Sequence, residues 1–284
     1  MPYDQKRING PESTTPYSIY VDLNIKPVKS TIKSELQTRK NSRKHNEFRK
    51  MFIKLGVVSQ AKGSAYIEMG QTKVICSAFD PREIPNRANY KTQGELYCKF
   101  KFANFSCCKR KGHQQNSEEQ QYSQIMQRAL EPAVCRHEFP NFQVDVYALV
   151  LDNGGSALGV AIMAASLALA NASVPMFGIV TTVTAGIYDD LVILDPTDQE
   201  EQLCMTIMRK NKPVNHGIVM QAMLPQHDQI SEFFLIGSMN LKCINSSIET
   251  LNKAGNEVYP TLQQSLTKSI KKMFKKRKEE DIEK

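Results

Sequence analysis

The 284-residue chain has a formal charge of +8, and its 41% hydrophobic and 23% charged residues are enough to build a core, which excludes a wholly disordered protein. The basic balance favours a polyanionic partner, nucleic acid ahead of an acidic protein surface, and carries no information about fold. Seven irregularly spaced cysteines do not form a disulfide framework. Because Met1–Asp4 lacks the pattern of a secretory leader, reduced thiols in cytosol or nucleus are expected. In chain order, residues 1–46 lack a sustained apolar period and read as a flexible basic arm. A domain over 47–270 and a charged tail over 271–284 follow.

Within the domain, residues 51–58 read as a strand. Residues 64–69 and 72–79 read as a hairpin around Gly70–Gln71. Residues 95–105 alternate like a strand. Residues 117–135 carry Tyr122, Ile125, Met126, Ala129 and Leu130 near one helical face, with Pro132 ending or bending the helix. A β-branched and aromatic strand over 142–151 runs through Gly154–Gly155 into a helix over 156–171. Its small residues (Ala161, Ala164, Ala165, Ala168) allow close packing. That helix, residues 157–170 included, is too short and too poor in bulky side chains for a membrane span. Strands are expected over 177–187, 191–194, 204–208, 217–223 and 233–237, then helix from Met239 onward. Sheet and helix alternate in blocks, an α+β pattern.

Three stretches together resemble the RNase PH family. The first runs from Gly63–Ser64–Ala65 through Gly70–Gln71–Thr72–Lys73–Val74 to Asp80–Pro81–Arg82–Glu83. The second is Arg128–Ala129–Leu130–Glu131–Pro132, then Phe139–Pro140 and a strand ending Leu151–Asp152. The third is Gly154–Gly155–Ser156 opening the alanine-rich helix. The resemblance implies a ribosomal-S5-domain-2-like fold of paired βαβα halves. It also implies a place in the six-membered ring of an RNA exosome, through which single-stranded RNA is threaded.

Phosphorolysis requires a phosphate site, cations on the RNA backbone and carboxylates able to hold a metal. Active relatives follow the double glycine with Thr-Arg-Thr. Here Ser156, Ala157 and Leu158 stand in those places, so Gly155, Ser156 and Ala157 form a degenerate phosphate site. The helix N-terminus retains a weak pull on anions. Ser117 and Glu118 stand where relatives carry an Arg-Arg pair, with Lys109, Arg110 and Lys111 in the loop before them. Asp195, Asp198, Glu200 and Glu201 read as a solvated acidic turn rather than a metal site. The second acid required at the start of the next strand is replaced by Cys204 or Ile207. No catalytic residue, metal or cofactor is therefore assigned. Arg82, Arg87 and Lys91, in and after the loop that lines the ring's mouth in relatives, are the candidate RNA contacts.

Cys98, Cys107, Cys108 and His113 lack the CxxC spacing of a zinc knuckle and read as structural. His113, His137, His216 and His227 have no interpretable nucleophile partner.

The expected role is a non-catalytic ring subunit supporting 3′-to-5′ RNA processing and degradation, including rRNA processing and mRNA turnover, in nucleus, nucleolus and cytoplasm. Expected partners are other RNase PH-like subunits (one resembling ribosomal RNA-processing protein 42), S1/KH cap subunits, a separate catalytic nuclease and single-stranded RNA, with no membrane. Two alternatives stand beside this. One is an active phosphate-dependent exoribonuclease with a site shared across a partner; the other is a free-standing RNA-binding module.

Overall fold

The computed structural model describes residues 39, 43–84, 91–107, 110–189, 191–205 and 215–282. Arg87, Cys108, Lys109, Ile207 and nearly all of the expected basic arm lie outside the described residues.

The first sheet is built from β1 (Met51–Leu55), β2 (Gly63–Met69), β3 (Thr72–Ala78), β4 (Arg82–Glu83), β5 (Glu95–Phe102) and β6 (Phe142–Asp152). β1, β2 and β3 form an antiparallel meander, closed at its second turn by Gly70 with φ 59°. β6 pairs antiparallel with β3 and, at its start, with β4, and parallel with β5. The parallel pair demands a crossover, supplied by α1 (Ser117–Leu130). Glu119, only 1% exposed, fastens that helix to the sheet. Its carboxylate accepts the backbone N–H groups of Asn116 at its own helix start and of Phe102 at the end of β5, both at 2.9 Å. Helix α1 stops at Leu130, and Glu131–Pro132–Ala133 continues as a single 3-10 turn, as the proline dictates.

Helix α2 (Ala157–Asn171) is buried on nearly every side, with only its last two residues partly exposed. It lies between the first sheet and a second, antiparallel one ordered β10-β9-β7-β8. These are β7 (Thr181–Tyr188), β8 (Leu191–Leu194), β9 (His216–Leu224) and β10 (Gln229–Ser238). The alanine and glycine spacing allows the close approach. Gly159 sits against Thr182 and Thr184, and Thr182 Oγ1 donates to the Gly159 carbonyl at 2.5 Å. One core joins β1–β3, β5, β6, α1, α2 and part of the second sheet.

One expectation is corrected here. Cys204 and Met205, expected to open a strand over 204–208, are instead the end of α3 (Asp198–Met205), and residues 206–208 lie outside the described residues. Thr197 and Glu200 close a reciprocal cap at its start: Thr197 N–H donates to Glu200 at 2.8 Å and Glu200 N–H to Thr197 Oγ1 at 3.4 Å. The last helix, α4 (Leu241–Ile282), continues into the tail expected over 271–284. Among the described residues, no helix is long and apolar enough to cross a membrane.

Candidate functional site

The degenerate phosphate site lies where four segments meet: the lead into β1, the β2–β3 turn, the Gly154–Gly155 loop and the Asp195–Glu201 segment. Arg49 organises it from a position only 7% exposed. Its guanidinium grips Asp195 through Nε–Oδ2 at 2.8 Å and Nη2–Oδ1 at 2.6 Å, and its backbone N–H donates to the same carboxylate at 2.9 Å. The remaining guanidinium N–H groups donate to the carbonyls of Gly154 at 2.8 Å and Gly155 at 3.1 Å and to Thr72 Oγ1 at 3.1 Å. Thr72 Oγ1 donates to the Gly155 carbonyl at 2.6 Å.

With those carbonyls held, the chain enters α2 through two left-handed residues, Gly155 (φ 97°) and Ser156 (φ 56°). A Cβ at residue 155 would lie 2.5 Å from Asp198 N and 2.6 Å from Pro196 O, so this glycine is a steric requirement.

The helix N-terminus is already engaged. The Ser156 backbone N–H donates to Glu201 Oε1 at 2.6 Å, and the Ser156 hydroxyl donates to the Pro196 carbonyl at 3.2 Å. The expected weak pull on outside anions is therefore directed at the chain's own carboxylate. Ala157, 8% exposed, adds no cation. Burial raises the Glu201 carboxyl to about 7, against the pull of the Ser156 amide and with a push from Asp198.

The acidic segment is a packed network, which corrects its reading as a solvated turn. Asp195 is 2% exposed and also faces Arg43 at 3.5 Å. Glu200 is held by Arg39 at 3.0 and 3.1 Å, and Arg39 also donates to the Leu194 carbonyl at 2.8 Å. Burial alone would raise the Glu200 carboxyl, but the Arg39 hydrogen bond, the Thr197 amide and the charges of Arg39 and Arg43 bring it below its usual value. Asp198, raised by burial, accepts from Gln202 at 2.9 Å. Among the described residues, no group of three or more His, Cys, Asp or Glu side chains is arranged to hold a metal ion.

Among the described residues the next strand starts at His216, and Ile207, one of the two positions matched to the second acid, lies outside them. Cys204 instead lies in α3, fully buried, its thiol raised to about 12 by burial. Cys98 faces inward from β5 and burial likewise holds its thiol well above the usual range.

Ser117 and Glu118 open α1 as matched. Glu118 pairs with Lys111 at 3.1 Å, and the Lys111 ammonium lies 3.7 Å from the centre of the Phe102 ring. The loop cations are similarly engaged. Arg82 contacts Asp145 at 2.7 Å and Lys91 contacts Glu95 at 3.0 Å.

Arg39, Arg49 and the Ser156–Glu201 contact were not picked out from sequence. Arg49 stands in a run with Arg43, Lys44 and Lys50, and nothing local marks it as the buried one. A carboxylate meeting an amide 45 residues away leaves no local signal at all.

Residues 47–175 match the 3′ exoribonuclease family, domain 1. Over 232 residues the chain is 32% identical to the exosome complex component RRP41-like of Arabidopsis thaliana, covering 82% of this chain and 85% of that protein. Over 288 residues it is 31% identical to the exosome complex component MTR3 of Homo sapiens, covering 96% and 97%. Among solved structures, rice (Oryza sativa) Rrp46 matches with a TM-score of 0.68 at 21% identity, covering 80% of this chain and 100% of that one. A chain of the Archaeoglobus fulgidus exosome with RNA bound to the active site matches with a TM-score of 0.71 at 18% identity, covering 86% and 99%. These two likenesses speak to the fold, which is RNase PH-like, while the identities over most of the chain speak to descent. The chain belongs to the RNase PH family of 3′ exoribonucleases.

Proposed function

We propose that the chain is a non-catalytic ring subunit of an RNA exosome. It supports 3′-to-5′ RNA processing and degradation, rRNA processing and mRNA turnover included, by assembly and by carrying RNA to a separate nuclease. The observation that carries this reading is the Ser156 amide closed by Glu201 at 2.6 Å beside Ala157. A phosphate ion entering there must displace a carboxylate and finds no guanidinium to hold it.

Assembly is supported by the outer face of the first sheet. Phe79, just after β3, and Tyr97, Tyr147 and Leu149, on the neighbouring β5 and β6, are each between 37% and 42% exposed. Tyr147 meets Phe79 at 5.6 Å and Tyr97 at 6.3 Å between ring centres, making one continuous apolar patch of the kind that marks a protein contact. The proposed neighbours are RNase PH-like subunits, one resembling ribosomal RNA-processing protein 42, with S1/KH cap subunits above. The proposed compartments are nucleus, nucleolus and cytoplasm. Arg82 and Lys91 offer RNA only what their carboxylate partners release, and Arg87 completes the proposed loop contact.

The test is a phosphorolysis assay on single-stranded RNA by the ring containing this chain and its RNase PH-like partner, with and without phosphate. No release of nucleoside diphosphates is expected once the partner's active site is disabled. Phosphate-dependent release that survives that change would establish this chain as the alternative, an active phosphorolytic exoribonuclease.

A further inference from the structure

Arg82, Lys91 and Lys111 are paired with carboxylates, yet the chain carries a formal charge of +8. The question is where unpaired positive charge is displayed. The far half of α4 answers it. Leu262 is buried and Leu266 packs against the core, but beyond them the helix leaves the domain: Ile270, Met273 and Phe274 are 46%, 48% and 59% exposed. Lys268, Lys271, Lys272 and Lys275 occupy the same turns, all exposed, and no carboxylate occurs between Gln263 and Lys278.

At about 100° per residue, these lysines fall within an arc of roughly 100° opposite the line through Leu266, Ile270, Met273 and Phe274. They are distributed over roughly 10 Å of helix axis. None forms an ion pair or hydrogen bond with any described residue up to Lys275, in contrast to Arg82, Lys91 and Lys111. Such a face cannot neutralise itself, and it presents compact ammonium charges on long stems with no groove or aromatic platform between them. That chemistry suits a flexible phosphate backbone and reads no base sequence.

We propose that the lysine face of α4, Lys268, Lys271, Lys272 and Lys275, is this chain's principal contact for the phosphate backbone of single-stranded RNA. The inference extends the RNA-carrying role proposed above and shifts its main electrostatic weight from the Arg82–Lys91 loop to the last helix. An acidic protein segment is the competing occupant, and the experiment separates the two.

The experiment titrates a fluorescein-labelled oligouridylate with the full-length chain, alone and assembled with its RNase PH-like partner, across a range of salt. The variant K268Q/K271Q/K272Q/K275Q is compared with the wild type and with R82Q/K91Q. Each single-strand phosphate contact adds about 0.7 to the slope of log affinity against log salt. The α4 variant is therefore expected to lose about 2–3 from the slope and at least tenfold in affinity at about 0.1 M salt. R82Q/K91Q should change both less. Unaltered RNA binding by the α4 variant, or an equal loss in R82Q/K91Q, overturns the inference. So does displacement of the labelled RNA by polyglutamate as readily as by unlabelled RNA. Exposed lysines leave folding intact, which circular dichroism of the variant checks. A wild-type chain that fails to join the ring removes the proposed function, while the titration of the chain alone still decides this inference.

Discussion

Asp195 and Arg49 show what a single residue does in this fold. A carboxylate 2% exposed would be costly to bury alone, but Arg49 gives it two guanidinium bonds and a backbone N–H. The rest of the same guanidinium satisfies the Gly154 and Gly155 carbonyls. Arg49→Met leaves both the charge and the carbonyls without partners. A loss of about 3–5 kcal/mol is expected from urea unfolding. Glu201 makes the opposite case. Its carboxyl titrates at about 7 in the folded chain against an ordinary 4.5, because burial disfavours the charged form. Between those values the folded state holds a proton that the unfolded state has released, so its contribution falls as pH rises from about 4.5 to about 7. Glu201→Gln removes that slope. The variant and wild type should be closest in stability near pH 4.5, with the variant gaining on the wild type up to pH 8. Asp198 slopes the same way in both, so the difference between their urea midpoints isolates Glu201, and parallel curves would refute the assignment.

Among the elements, the Gly154–Gly155 loop and α3 are coupled. The left-handed Gly155 exists because the start of α3 sits against it, with Asp198 N–H donating to the Gly154 carbonyl at 3.1 Å. Gly155→Ala adds backbone strain and a clash with Pro196 and Asp198, for an expected loss of about 2–4 kcal/mol in thermal or urea unfolding. The double glycine was legible in the sequence as the start of a helix; what it packs against was not. The acidic start of α3 was read as a solvated turn and its end, Cys204 and Met205, as the opening of a strand, because its apolar residues are few. The Thr197–Glu200 cap that starts it is a pattern of polar side chains, visible only to a search for caps rather than for apolar period. Strands β2 and β3 were legible as β-rich runs around the Gly70–Gln71 turn, β6 from its β-branched and aromatic residues, and α2 from the small residues that follow the double glycine.

At the scale of the whole molecule, two surfaces await partners of different kinds: the aromatic face of the first sheet and the lysine face of α4. The first belongs to assembly. Tyr147→Asp places a charge in the middle of that patch while replacing a side chain already 37% exposed. Monomer stability should change by no more than about 1 kcal/mol, whereas affinity for the RNase PH-like partner should fall at least tenfold, read by analytical ultracentrifugation or mass photometry. An unchanged affinity would place the ring contact elsewhere.

The sequence by itself determined the α+β class, the family, the hairpin and the alanine-rich helix, along with the loss of a cation at Ala157. These depend on period, turn chemistry and residue identity, all of which are local. Only the tertiary structure decided which arginine is buried, that Glu201 closes the helix N-terminus, that Arg82 and Lys91 are already paired, and that α4 carries Lys268, Lys271, Lys272 and Lys275 exposed beyond the core. Each of those depends on what a side chain meets after the chain has folded back on itself, and a charged residue in a basic or acidic run looks the same in sequence whether its partner is water or a carboxylate 146 residues away.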